Sequence, residues 1–201
     1  MIAIIDYDAG NLKSVEKALV SLGEETIITR DFSEILGADK VILPGVGAFG
    51  DAMAQLKKYE LDKVVHEVVA KETPLLGICL GLQLMFESSE ETPGVEGLHI
   101  LDGHIHRIPD AEGIKIPHIG WNSLEFPKES RLFKGIADLA YVYFVHSYYL
   151  RAANESIVAA TTEYSTHIHA AVEQGNIFAC QFHPEKSSTV GLQILKNFAS
   201  L

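Results

Sequence analysis

Three short runs with little polar interruption, Ile2–Ile5, Lys40–Leu43 and Leu75–Ile78, constrain this chain more than anything else in it. A strand with one wet face alternates polar and apolar residues, whereas a continuously apolar strand needs cover on both faces. Between these runs lie stretches with helical spacing. Leu12, Val15, Ala18, Leu19 and Leu22 form one stripe, and Asp51 to Lys71 carries another, expected as two helices broken near Glu60. With Thr26–Thr29 as a further strand and Leu80 to Glu87 as the helix after Leu75–Ile78, the alternation predicts a parallel sheet between helices. The second half changes character. Leu98–Ile108, Asn122–Phe126, Val142–His146, Ile157–Thr162 and Ala170–Glu173 are expected as strands with little helix between them. Gln174-Gly175-Asn176 then predicts a hairpin turn into Ile177–Phe182, and Val190 to Phe198 a closing helix. The expected class is α/β: a mostly parallel central sheet flanked by helices, with an additional antiparallel strand layer. No linker, repeat or charge block interrupts the 201 residues, so a single domain, 1–201, is expected.

Composition narrows the function classes. At 47% hydrophobic and 21% charged residues the chain can bury a core. Its 16 Lys and Arg against 27 Asp and Glu give a net charge of −11, which disfavours phosphate backbones, so no nucleic-acid partner is expected. Met1-Ile2-Ala3-Ile4-Ile5-Asp6 lacks the basic stretch of a secretory signal. The longest nearly apolar stretch, Leu75 to Phe86, is too short to span a bilayer. Two cysteines make no disulfide framework, and the expectation is a cytoplasmic protein with reduced thiols and no membrane partner.

The most informative chemistry is Gly77-Ile78-Cys79-Leu80-Gly81, set between an apolar strand and a helix. This is the nucleophile-elbow pattern with sulfur in place of the serine oxygen. The glycines allow backbone to lie against backbone, and a helix N-terminus favours thiolate over thiol. A lone cysteine is more often a buried core residue; the two flanking glycines tip Cys79 towards nucleophile. Cys180 has no such setting and is expected as an ordinary strand residue.

A nucleophilic thiol needs a base. His183-Pro184-Glu185 follows a strand, and in extended chain residues two apart share a face, so His183 and Glu185 can serve one site. Glu185 would orient the imidazole as the third member of a triad. Pro44-Gly45-Val46-Gly47 follows another strand, where backbone N–H groups of Val46 or Gly47, together with that of Leu80, can meet an oxyanion. The plainer reading of that segment is a tight strand–helix turn. His104 and His106, like His167 and His169, share strand faces, but no further ligand stands at metal spacing, and no metal or other cofactor is expected.

Gly77-Ile78-Cys79-Leu80-Gly81-Leu82-Gln83, Pro44-Gly45-Val46-Gly47 and His183-Pro184-Glu185 resemble the class I (triad) glutamine amidotransferases. Ile5 to Leu12, Pro117 to Asn122, Tyr143 to Tyr148 and His183 to Ser187 resemble the imidazole glycerol phosphate synthase branch of that family, of histidine biosynthesis, and the likeness covers the whole chain. The resemblance implies hydrolysis of L-glutamine to glutamate and ammonia through a Cys79 glutamyl thioester. It implies substrate contacts at Gln83, at Glu91 for the α-ammonium, and at backbone groups of Ser147 and Tyr148 for the α-carboxylate. It also implies a heterodimer with a (β/α)8 cyclase subunit, docked near Asn11, Trp121, Tyr143 and Lys186. As the only tryptophan, Trp121 is equally a candidate for the core. Three alternatives remain open at this point: a thiol hydrolase or cysteine protease of related fold, a non-enzymatic interaction module, and a glutaminase subunit of another pathway, such as pyridoxal phosphate or anthranilate synthase.

Overall fold

The structure, a computed structural model, describes residues 1–201. In chain order the elements are β1 (Ile2–Ile5), α1 (Leu12–Ser21), β2 (Thr26–Thr29), α2 (Phe32–Leu36), β3 (Lys40–Leu43), α3 (Phe49–Lys58), α4 (Leu61–Ala70), β4 (Leu75–Ile78) and α5 (Leu80–Leu84). There follow β5 (Ser88–Ser89), β6 (Gly103–Arg107), β7 (His118–Ser123), β8 (Tyr141–His146), β9 (Tyr148–Ala152), β10 (Val158–Tyr164), β11 (Thr166–Gln174), β12 (Ile177–Cys180) and α6 (Ser188–Ala199).

The central sheet has seven strands in the order β10-β11-β12-β4-β3-β1-β2. From β2 to β12 every pairing is parallel; β11 and β10 then continue antiparallel. Period-2 geometry explains the unbroken apolar runs. Ala3, Ile5, Val41, Leu43 and Leu75 enter one core with Ile35 of α2 and the buried faces of α3 and α4. Ile2, Ile4, Ile42, Leu76 and Ile78 enter the other with α1 and α6. The helices between residues 51 and 71 break at Tyr59 and Glu60, as the spacing predicts. Two smaller sheets, β5-β6-β9 and the antiparallel ribbon β7-β8, make up the additional layer.

Several boundaries differ from the sequence expectation, among them β11, which begins at Thr166 and not at Ala170. The helix expected over Leu80 to Glu87 stops at Leu84 because the following chain takes its carbonyls: Leu98 N–H donates to Leu84 O and Ile100 N–H to Met85 O. That same docking removes residues 98–102 from the strand expected over Leu98–Ile108. The strand expected at Asn122–Phe126 lies earlier, at His118–Ser123, in register with β8 from His118↔His146 to Ser123↔Tyr141. Ile177–Phe182 pairs only as far as Cys180. Three elements escape the pattern altogether: the two-residue β5, β9 and α2. β9 follows β8 after a single residue, and α2 is announced only by its cap, Asp31, whose carboxylate accepts from Ser33 and Glu34 N–H.

Because parallel strands end on one edge, the carboxyl ends of β1, β3, β4 and β12 converge there, and the candidate residues follow those ends. Gly81 sets how closely they converge: a Cβ on it would lie 1.8 Å from the Leu43 carbonyl oxygen. Gly81→Ala should therefore destabilise the fold by about 3 kcal/mol or more, through backbone overlap that no rotamer relieves. Gly23, at φ +86° with open space around it, should cost only about 1 kcal/mol as Gly23→Ala. Urea denaturation of the two variants measures the contrast.

Candidate active site

Cys79 occupies the turn between β4 and α5 with φ 55° and ψ −109°, a conformation that an L-residue adopts only under constraint. Its N–H donates to Cys180 O at 2.8 Å, which ties the elbow to β12. A helix of five residues carries little macrodipole, so α5 contributes less to the sulfur than the elbow pattern alone implies. What faces Sγ instead is the side chain of Gln181, with Nε2 at 3.8 Å. Sequence reasoning missed Gln181. The signal was available in the sequence, since it stands two residues before His183 in the same short segment after β12.

His183 and Glu185 do meet, although not by the extended geometry expected of them. Pro184–Lys186 is a single 3-10 turn that folds the carboxylate back, placing Glu185 Oε1 2.7 Å from His183 Nδ1. Both side chains are buried, at 1% and 0% exposure. Asn11, expected at a docking surface, also donates through Nδ2 to Glu185 Oε1, and its left-handed backbone (φ 70°) turns the side chain that way. His183 Nε2 has no hydrogen-bond partner and is the atom available for proton transfer. Burial alone would lower the His183 pKa, but Cys79 and Glu185 outweigh it and raise it from 6.5 to about 9. Cys180, fully buried, is pushed up by desolvation and donates to Phe182 O, as befits an inert strand residue.

The Gly45–Gly47 turn stands over the elbow. Leu80 N–H donates to Gly45 O at 3.3 Å, so one expected oxyanion donor is occupied by a carbonyl. The N–H groups of Val46 and Gly47 make no hydrogen bond. Tyr7 lies beneath the turn and donates to Pro44 O at 2.7 Å; burial, and then charge at Cys79, raise its phenol. A Cβ on Gly45 would sit 2.4 Å from that hydroxyl, which is why this position is glycine.

A cavity of about 330 Å³, at the small end for ligand sites, joins these parts. It is lined by Val46, Gly47, Cys79, Leu80, Gln83, Glu91, Ser147, Tyr148, His183 and Lys186. Glu91 uses Oε2 to accept from Phe49 N–H at 2.8 Å, capping α3 from 42 residues away. Gln83 donates from Nε2 to Tyr148 O and to Gln181 Oε1, which leaves its own amide oxygen for a ligand. The carbonyls of Ser147 and Tyr148 already accept hydrogen bonds, whereas Ser147 N–H is free, the polarity a carboxylate requires. A larger depression of about 820 Å³ around Phe126, Arg131 and Glu173 is open and is lined by no cysteine or histidine.

Beside the cavity stands the β7-β8 ribbon. Trp121 is 52% exposed and packs edge-on to Tyr143, so it is not the core tryptophan that was the alternative. Ile119 and Tyr141 are likewise exposed on the same face. The opposite face buries His118, which stacks on Phe144 and Tyr164 and lies 3.0 Å from His146. Burial lowers His118 to about 4 and His146 to about 3, keeping both neutral. His104 and His106 pair with Glu87 and Glu90, and His167 with Glu163.

These shifts act on stability in opposite directions. The raised His183 contributes stability that is complete below pH 6.5 and lost as pH rises through about 9. The depressed His118 and His146 contribute stability present above pH 6.5 and lost as pH falls towards 4 and 3. NMR titration should place the His183 ring protons near pH 9, and Glu185→Gln should lower that midpoint by about one unit or more. A His183 midpoint near 6.5 in the unmutated protein would contradict the charge coupling.

Comparison with known proteins is consistent with this geometry. The model of the family "Glutamine amidotransferase class-I" matches residues 3–200. The imidazole glycerol phosphate synthase subunit HisH of Moorella thermoacetica is 52% identical over 200 residues, covering 100% of this chain and 94% of that protein. The subunit of the same name from Methanocaldococcus jannaschii is 47% identical over 201 residues, covering 100% of both. Among solved structures, a glutamine amidotransferase matches with TM-score 0.77 at 21% identity, over 99% of this chain and 97% of that one. The glutaminase domain of Trypanosoma brucei CTPS, with bound acivicin, matches with TM-score 0.65 at 18% identity, over 99% and 93%. At such identities these two structures speak for the fold. Matched along nearly its whole length, the chain belongs to the class-I glutamine amidotransferase family.

Proposed function

We propose that this protein is the glutaminase subunit of an imidazole glycerol phosphate synthase, acting in the cytoplasm as a single domain and passing ammonia to a (β/α)8 cyclase subunit. The observation that carries the reading is that Cys79 and His183 line one cavity sized for a free amino acid, with Glu185 bound to His183 Nδ1 behind it. Cys79 Sγ attacks the side-chain amide carbon of L-glutamine. His183 Nε2 delivers a proton to the departing ammonia, then takes one from the water that opens the thioester, while Glu185 holds the imidazole through Nδ1. Within the cavity, Glu91 takes the α-ammonium, Ser147 N–H with the adjoining Tyr148 backbone takes the α-carboxylate, and the Gln83 amide oxygen meets a donor of the substrate.

The oxyanion hole requires one rearrangement. The peptide joining Gly45 to Val46 turns its carbonyl towards Leu80 N–H, so its own N–H points away. Rotating that single peptide frees the Leu80 donor and swings Val46 N–H inward, supplying two donors at once. Gly47 at φ +100° accommodates such a turn, and exposed Val46 places it within reach of a partner. The exposed apolar face of the ribbon, with Ile119, Trp121 and Tyr141, is the docking surface, flanked by exposed Lys186 and the half-buried Tyr143 and Asn11. Because Asn11 also holds Glu185, and Tyr143 O accepts from His183 N–H, docking bears directly on the triad.

The isolated chain is expected to hydrolyse glutamine very slowly. Adding the cyclase with its ribonucleotide ligand should raise kcat about a hundredfold or more while KM changes little, the sign of an interaction made only in the transition state. Steady-state glutaminase assays on the chain alone, with cyclase, and with cyclase plus ligand decide this; full activity alone would remove the switch. Cys79→Ala in the complex should bind glutamine and release no glutamate, and turnover in that variant would overturn the assignment. Trp121 fluorescence should shift on stoichiometric mixing with the cyclase; an unchanged spectrum would take Trp121 out of the contact.

A further inference from the structure

The amide of Gln181, fully buried just beyond β12, faces the Cys79 sulfur through Nε2. A primary amide can turn either its N–H or its oxygen towards a neighbour, so the orientation needs a cause. Here it is imposed from a backbone carbonyl outward. Tyr148 O can only accept, so Gln83 must turn Nε2 towards it, at 3.1 Å. The same Nε2 donates to Gln181 Oε1 at 3.0 Å, which leaves Gln181 Nε2 on the side of the sulfur. Tyr148 O is held in turn by His146 Nδ1 at 2.8 Å. His146 is buried, and its Nε2 lies 3.0 Å from His118 Nδ1, so the two rings form a fixed donor–acceptor series. At the other end, Gln181 N–H is anchored on Ala170 O at 2.8 Å.

We propose that Gln181 is a further catalytic group of this site, its Nε2–H donating to Cys79 Sγ and stabilising negative charge on the sulfur. The need is greatest when the thioester opens. Water adds its oxygen to the acyl carbon, one water proton passes to His183 Nε2, the C–S electron pair returns to Sγ, and the acyl group leaves as glutamate. His183 is engaged with water at that moment, and α5 is too short to supply a strong dipole, so the amide N–H is the donor in place for the departing sulfur. The titratable groups around the sulfur are Tyr7 from the loop after β1, Cys180 from β12, and His183 and Glu185 from the turn beyond it. The proposal rests on the reading of Cys79 as the nucleophile and deepens it.

Two substitutions in the full-length chain separate donation from packing. Gln181→Glu keeps an oxygen for Gln83 Nε2 but sets an acceptor where the donor stood; Gln181→Met removes both groups at similar length. Alkylation of Cys79 by iodoacetamide is followed against pH by mass spectrometry of the Cys79 peptide, so Cys180 does not contribute. Both variants should show the alkylation midpoint raised by about half a pH unit or more. In the complex with the cyclase, glutaminase kcat should fall about tenfold or more, with KM within about threefold. A variant that keeps its thermal transition and alkylates with the unmutated midpoint overturns the proposal whatever its kcat, because lost turnover alone is also what a packing defect gives. If neither variant folds, the unmutated protein supplies the test. The side-chain 15N–1H2 resonances of Gln181 should move with the titration of Cys79 and stop moving in Cys79→Ala; resonances that stay still overturn the proposal. Glutamine hydrolysis by Cys79→Ala would instead overturn the nucleophile assignment, a different result from a silent Gln181 amide.

Discussion

The site depends on the parallel pairing of β4 with β12, strands about a hundred residues apart in the chain and adjacent in the sheet. Cys180 pairs with Ile78, and the ladder runs one hydrogen bond further, from Cys79 N–H to Cys180 O. That bond fixes where Cys79 leaves β4 and where Gln181 and His183 leave β12. A slip of one residue would turn every side chain of β12 to the opposite face and move His183 off the cavity. Phe178 and Cys180 lie in the core beneath α1 and α6, while Ala179 lies in the core against the other helices. Burial on both faces therefore determines the register on which the chemistry relies.

Around that ladder, parts distant in sequence are held to one another by few and directional bonds. The β7-β8 ribbon reaches His183 through Tyr143, whose N–H donates to Ser187 Oγ and whose carbonyl accepts from His183 N–H. It reaches the sulfur through His146, Tyr148 O, Gln83 and Gln181. Asn11 links the loop after β1 to Glu185, and a Cβ on Gly10 would lie 2.7 Å from Val46 Cγ2, so the same loop supports the oxyanion turn. The apolar outer face of the ribbon is thus only a few hydrogen bonds from Cys79, His183 and Glu185.

Much of this was legible in the residues. Continuous apolarity in Ile2–Ile5 and Leu75–Ile78 identifies strands buried on both faces, and glycines on either side of Cys79 identify the elbow, because these patterns report local sterics and burial. The early end of α5 was not legible, since Leu98 and Ile100 supply the competing donors from a segment with no regular period. The His183–Glu185 contact was anticipated for the wrong reason: a 3-10 turn produces it, not the period of two of extended chain. Nor could the sequence reveal that Gly45 O occupies Leu80 N–H, because the orientation of one peptide between glycines leaves no trace in residue type. Asn11 illustrates the same limit, its side chain being directed by a left-handed backbone that many residues of its kind adopt without purpose.

The position of β12 in the sheet has a consequence for the order of synthesis. β4 and its thiol are synthesised when more than half of the chain is still to be made, yet one of their neighbours in the sheet is the last strand. Until β12 arrives, one side of β4 lacks its partner, and β11 and β10 have nothing central to join. α6 then closes over the His183–Glu185 turn: a Cβ on Gly191 would lie 1.8 Å from Pro184 O, so helix and turn settle together. A nascent chain therefore carries the Cys79 sulfur without His183 or Gln181 beside it until its own sheet is complete. Long-range closure of this kind is slow compared with local helix formation. Catalytic competence is consequently the last property the growing chain acquires, and the elbow cysteine passes through synthesis chemically unassisted.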